Sequence, residues 1–75
     1  MYEVWFENFY GNKRIIGSAN DRKSAGKIVS DFLDEHNYKH YYTRGYMVND
    51  MTEKLDVGSH CEFFYIIKKD DQENT

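Results

Sequence analysis

A single stretch of this chain, residues 21–36, has the spacing of an amphipathic helix. Its apolar side chains recur at intervals of three, four and seven, at Ala25, Ile28, Val29, Phe32 and Leu33. Asn20 or Asp21 can cap the first turn by accepting hydrogen bonds from free backbone N–H groups, and Asn37 is expected to end the helix. Gly26 is expected to let the helix approach a neighbouring sheet closely. Because this helix has one apolar stripe, it can cover one face of a sheet and no more.

Segments with the pattern of strands flank the helix on both sides. Residues 2–8 alternate between two faces, and residues 13–18 form a second strand after the turn at Gly11 and Asn12. Further strands are predicted over residues 40–48, 53–57 and 61–68. The last strand is apolar on both faces, which is typical of a central strand. The order β-β-α-β-β(-β) predicts an α+β fold of two layers, with one helix packed on a mainly antiparallel sheet of four or five strands.

Size and composition limit the class of protein. A chain of 75 residues and 9.0 kDa forms one domain, predicted to span residues 1–68 and to be followed by a polar, disordered tail over residues 69–75. The net charge of −3 argues against binding a polyanion through bulk positive charge. No apolar run suits a transmembrane helix, and the first residues lack the features of a signal peptide. We therefore expect a soluble, cytoplasmic protein that does not bind membranes.

The chain has more aromatic residues than one helix can cover: seven Tyr, five Phe and one Trp. We expect the helix to cover Val4, Phe6, Leu55, Val57, Phe63 and Tyr65. The remaining aromatic residues would then share the uncovered face of the sheet, where an apolar patch usually marks an interaction site. Residues 41–48 have tyrosines on both faces, so the sequence does not determine which of these faces is buried. The predicted anchors of the site are Trp5, Tyr42, Tyr46 and Phe64, with Arg44 as a polar hot spot.

Four roles remain open for this aromatic face. The aromatic pairs can simply stabilise a small sheet, or the face can form a homodimer, because domains of this size often need oligomerisation. It can also bind a different protein. Finally, tyrosines that alternate with Lys39 and Arg44 can stack on the bases of single-stranded nucleic acid. Acidic residues near the same face make nucleic acid the weaker alternative: Glu3, Glu7 and Glu62.

Candidate catalytic and metal sites are weak in this sequence. His60 and Cys61 are adjacent on a predicted strand, so their side chains should point to opposite faces. His36 and His40 have a spacing that binds metals on a continuous helix, but the helix is predicted to end between them. No catalytic residue, metal or cofactor is therefore predicted. Asp56 and Ser59 are expected to hydrogen-bond the backbone at a bend around Gly58.

Two segments resemble small proteins encoded by phages and prophages of low-GC Gram-positive bacteria. They are the opening residues 2–8 and the stretch 56–66. The resemblance is confined to these two segments and brings no catalytic motif. It implies a small non-enzymatic protein that binds a host protein and modulates or inhibits it, including host defence nucleases. The leading hypothesis is therefore a protein-interaction module that acts through the aromatic sheet face, with single-stranded nucleic-acid binding as the alternative.

Overall fold

A computed structural model describes residues 1–36, 43–58 and 62–69. The elements are β1 (Tyr2–Glu7), β2 (Lys13–Ala19), α1 (Arg22–Glu35), β3 (Arg44–Asn49), β4 (Thr52–Asp56) and β5 (Phe63–Lys68). The predicted helix is confirmed. Asp21 caps its first turn, with Asp21 Oδ1 accepting from the backbone N–H of Ser24 at 2.7 Å. This hydrogen bond holds the pKa of Asp21 below its usual value.

The five strands form one antiparallel sheet in the order β2-β1-β5-β4-β3. The prediction of an α+β fold with one helix on an antiparallel sheet is confirmed. The prediction that the last strand is central is also confirmed, because β5 lies between β1 and β4. In the described part of the chain, α1 is too short and too polar to span a membrane.

The core lies between α1 and one face of the sheet. It consists of buried apolar residues from α1, β1, β4 and β5 and from the residue that follows β4: Val4, Phe6, Ala25, Val29, Phe32, Leu33, Leu55, Val57, Phe64 and Ile66. The rings of Phe6, Phe32 and Phe64 pack together, with centroids 4.8 to 5.4 Å apart. The helix lies mainly over β1 and β2. The outer strand β3 therefore extends beyond the area that the helix covers.

The predicted orientation of β5 was wrong. Phe64 is completely buried and Ile66 is nearly so, whereas Phe63 and Tyr65 lie on the side away from α1. The pairing explains this, because Phe64 is directly opposite Phe6, and opposite residues in an antiparallel sheet share a face. Phe64 is thus a core residue and not an anchor on the uncovered face. A strand that is apolar on both faces gives no sequence signal for choosing between the two orientations.

The close approach of helix and sheet occurs at Gly17 and not at Gly26 as expected. A Cβ at Gly17 would lie 3.1 Å from Ile28 Cδ1 and 3.2 Å from Ile28 Cγ2. A Cβ at Gly26 would meet the flexible end of the Arg22 side chain, 2.9 Å away, and no atom of the sheet. The glycine that brings the two layers together is therefore on β2.

The connections agree with the predicted turns where the structure describes them. Gly11 has a φ of 83° in the β1–β2 turn. Asp56 Oδ1 accepts from the backbone N–H of Gly58 at 2.8 Å, which confirms the bend expected there. At the end of the sheet, the N–H of Lys69 donates to the carbonyl oxygen of Met1 at 2.8 Å. The predictions for residues 37–42, 59–61 and 70–75 lie outside the described residues.

Candidate interaction surface

The side of the sheet opposite α1 carries a continuous set of apolar and basic residues, which we call the open face. Trp5 of β1 pairs with Ile15 of β2 on one side and with Tyr65 of β5 on the other. Tyr65 pairs in turn with Lys54 of β4, and Lys54 pairs with Tyr46 of β3. Because paired residues share a face, this row crosses all five strands. The open face consists of Trp5, Lys13, Ile15, Arg44, Tyr46, Val48, Thr52, Lys54, Phe63, Tyr65 and Ile67.

A groove of about 420 Å³ runs along the open face. Its lining comes from every strand of the sheet: Trp5, Lys13, Val48, Asn49, Thr52, Tyr65 and Ile67. Within the described chain, α1 is the sole helix, and it lies on the other side of the sheet. No helix of the described residues therefore covers the groove.

Hydrogen bonds hold two aromatic side chains of the groove in place. Trp5 Nε1 donates to Glu3 Oε1 at 3.1 Å, and the Tyr65 hydroxyl donates to Glu7 Oε1 at 2.6 Å. Partial burial, followed by the hydrogen bond to the Glu7 carboxylate, raises the pKa of Tyr65 to about 12. At neutral pH the phenol is thus protonated and acts as a hydrogen-bond donor.

Two lysines lie over the aromatic rings of the open face. Lys13 Nζ is 4.5 Å from the centre of the Tyr65 ring, and Lys54 Nζ is 4.1 Å from the centre of the Phe63 ring. Both contacts are within the range of cation–π attraction. The alkyl stems of such lysines cover apolar surface while the ammonium groups stay in water. A partner that meets this face therefore contacts aromatic rings and positive charge together.

The predicted site residues have three different outcomes. Trp5, Arg44 and Tyr46 are on the open face, and Tyr46 is 52% exposed. The Arg44 guanidinium is also exposed, and its Nη2 lies 3.7 Å from Asp56 Oδ2. Phe64 is in the core, and Tyr42 lies outside the described residues.

Several residues of the open face were missed by the sequence prediction. Tyr65 and Ile67 of β5 were missed because the strand was assigned the opposite orientation. Lys13 and Lys54 were missed because the sequence analysis assigned neither lysine to a face of the sheet. Lys13 is opposite Glu7, and Lys54 is opposite Tyr65. These positions place both lysines on the open face, but they can be predicted only when the strand order is known.

The other candidate chemistry gains no support within the described part of the chain. No group of three or more His, Cys, Asp or Glu residues is placed there to hold a metal ion. His36 stacks on Phe32 with ring centres 4.0 Å apart, and its Nδ1 lies 2.9 Å from the Phe32 carbonyl oxygen. This geometry gives His36 a structural role at the end of α1.

The chain is a two-layer α+β domain, and in the ranges that the structure describes the helix covers one of the two sheet faces. Comparisons with protein-family models, with curated proteins and with solved structures find no match to this chain. Its function must therefore be argued from its own surface.

Proposed function

We propose that the protein is a non-enzymatic interaction module that binds another protein through the open face. The observation that supports this most strongly is the groove lined by Trp5, Tyr65 and Ile67 on the uncovered side of the sheet. Aromatic side chains held in place by hydrogen bonds can bury a large area with little further loss of conformational entropy. Trp, Tyr and Arg are also the residue types that contribute most to binding hot spots.

Charge favours a protein over a nucleic acid as the partner. The lysines of the open face are interspersed with carboxylates, since Glu3 and Glu7 lie on the same side of β1 as Trp5. A strand of phosphates would meet these carboxylates on the same face as the lysines. A protein surface with both apolar and mixed polar groups suits this distribution better.

The resemblance to phage and prophage proteins suggests a more specific form of this proposal. In this form the partner is a cytoplasmic host protein, and binding modulates or inhibits it. The groove would provide the contact surface for this host protein.

The test compares two adjacent residues of β3 that are similarly exposed on opposite sides of the sheet. Tyr46 lies on the open face and is 52% exposed, whereas Met47 lies on the helix side and is 59% exposed. The tagged protein is used to capture partners from host-cell extract, and affinity for a purified captured protein is then measured by calorimetry. We expect Tyr46→Ala to weaken binding about tenfold, as for an interface hot spot. Met47→Ala should bind like the wild type.

Equal effects of the two substitutions would contradict the proposal, provided that circular dichroism shows both variants to be folded. Capture that does not depend on Tyr46 or Trp5 would do the same. The nucleic-acid alternative is tested with a fluorescein-labelled single-stranded oligonucleotide. Binding that weakens steeply with salt would support that alternative, because phosphate contacts release counterions.

A further inference from the structure

The outer edge of β3 is the most exposed apolar segment of the sheet. All six residues of β3 are exposed, and its centre consists of Tyr46, Met47 and Val48. Within the described residues, β3 pairs on one side only, with β4. Alternate backbone N–H and C=O groups of an edge strand point away from the sheet and lack a strand partner. Such an edge is a template for one more strand.

The opposite edge of the sheet is better protected. The edge strand β2 begins with Lys13 and Arg14, and a bulge opposite Val4 and Trp5 interrupts its register. Charged residues and bulges are the usual devices that prevent an edge from pairing with another chain. A register shift between Met47 and Asn49 likewise interrupts β3, which keeps an unbroken register with β4 over Arg44–Met47. The two edges differ most in exposure, because every residue of β3 is exposed whereas Ile16, Gly17 and Ala19 of β2 are half-buried.

We propose that β3 pairs antiparallel with β3 of a second copy of this chain, which forms a dimer with a continuous ten-stranded sheet. The charges at the ends of the strand favour this partner. The strand begins at Arg44 and is followed by the exposed residue Asp50. An antiparallel arrangement brings the basic start of each strand close to the acidic end of the other, twice. A parallel arrangement would place like charges together.

The two faces of β3 limit the register of this pair. Tyr46 and Val48 are on the open face, whereas Met47 lines a groove on the helix side with Tyr2 and Ile66. Directly opposite residues must share a face. The two-fold axis must therefore lie midway between one residue of β3 and the same residue of the second copy. An axis at Met47 places Tyr46 of one copy opposite Val48 of the other, an aromatic and β-branched pair. An axis at Tyr46 would instead place Arg44 opposite Val48.

This dimer does not rest on the proposed function, because it uses the edge of the sheet and leaves the open face accessible. Val48 and Asn49 line the end of the groove at β3. Edge pairing therefore brings the grooves of the two copies next to each other on one side of the extended sheet. The dimer would present two binding grooves at a fixed distance and orientation relative to each other.

The test measures the mass of the full chain by sedimentation equilibrium over a wide range of concentrations. We expect the wild type to reach twice the 9.0 kDa of one chain. Met47→Lys should raise the dissociation constant of the dimer at least tenfold, because two like charges would face each other at the axis. Met47→Glu should do the same. An equimolar mixture of the two variants should restore the dimer, and this restoration also shows that both variants are folded.

The matched control is Ile15→Lys, which introduces the same charge on the other edge strand at a residue that is 46% exposed. It should leave the dimer intact. A wild type that stays monomeric at every concentration would overturn the proposal. A dimer that Ile15→Lys dissociates, or that Met47→Lys leaves unchanged, would place the interface elsewhere and would overturn it as well. So would two folded Met47 variants whose mixture remains monomeric.

Discussion

At the scale of single residues, the contact between Tyr65 and Glu7 fixes the centre of the open face. The Tyr65 hydroxyl donates to the Glu7 carboxylate at 2.6 Å, and partial burial together with this bond raises the pKa of Tyr65 to about 12. We expect Glu7→Gln to lower that pKa, because the substitution removes the negative charge and the charged acceptor. The residual elevation should reflect burial, which is the larger cause. Titration of the tyrosine Cζ signals by ¹³C NMR measures this, with Tyr65→Phe to assign the resonance.

The same shift predicts how stability depends on pH. The pKa of Tyr65 is higher in the folded chain than its usual value of 10.0, so folding favours the protonated phenol. This contribution is present in full below pH 10 and is lost as the pH rises towards 12. Alkaline unfolding of Tyr65→Phe should therefore depend less on pH in this range than unfolding of the wild type. An identical dependence in both proteins would contradict the assigned shift.

At the scale of elements, the strength of the periodic signal decided what the sequence could predict. The helix was predicted well because its stripe has one apolar side and Asp21 is a clear cap. The strand β5 was correctly predicted to be central, but its orientation could not be read from a segment apolar on both faces. Only the pairing of Phe64 with Phe6 and Leu55 resolves it. For the open face, Trp5 and Tyr46 were predictable, whereas Tyr65 depended on that orientation.

Adjacent residues of β5 provide a direct test of this orientation. Phe64 is fully buried between Phe6 and Phe32, so Phe64→Ala should destabilise the fold by about 3–5 kcal/mol, a large part of the stability of a small domain. Phe63→Ala should cost about 1 kcal/mol, the central value for single substitutions, because Phe63 is on the open face. Urea unfolding followed by circular dichroism measures both. A larger cost for Phe63 than for Phe64 would show that the strand has the opposite orientation.

At the scale of the whole molecule, the helix covers the sheet unevenly, because it lies mainly over β1 and β2 and leaves β3 exposed. The strands β1 and β5 are paired on both sides and contribute Val4, Phe6, Phe64 and Ile66 to the core, whereas β3 is exposed throughout. This asymmetry separates the strands that carry the core from an edge strand that, among the described residues, pairs only with β4. Strand order, which the sequence did not reveal, is what creates the asymmetry.

Amide hydrogen exchange tests this asymmetry and its consequence together. At low protein concentration the amides of β3 should exchange faster than those of β1 and β5, because they are near the surface and half of them point away from β4. Raising the concentration should slow exchange in β3 selectively, since a second copy would bond its outward N–H groups. The amides of β2 provide the internal control, as the other edge of the same sheet. Equal slowing in β2 and β3 would contradict pairing at β3, and β3 amides as slow as those of β5 at the lowest concentration would contradict the exposed edge itself.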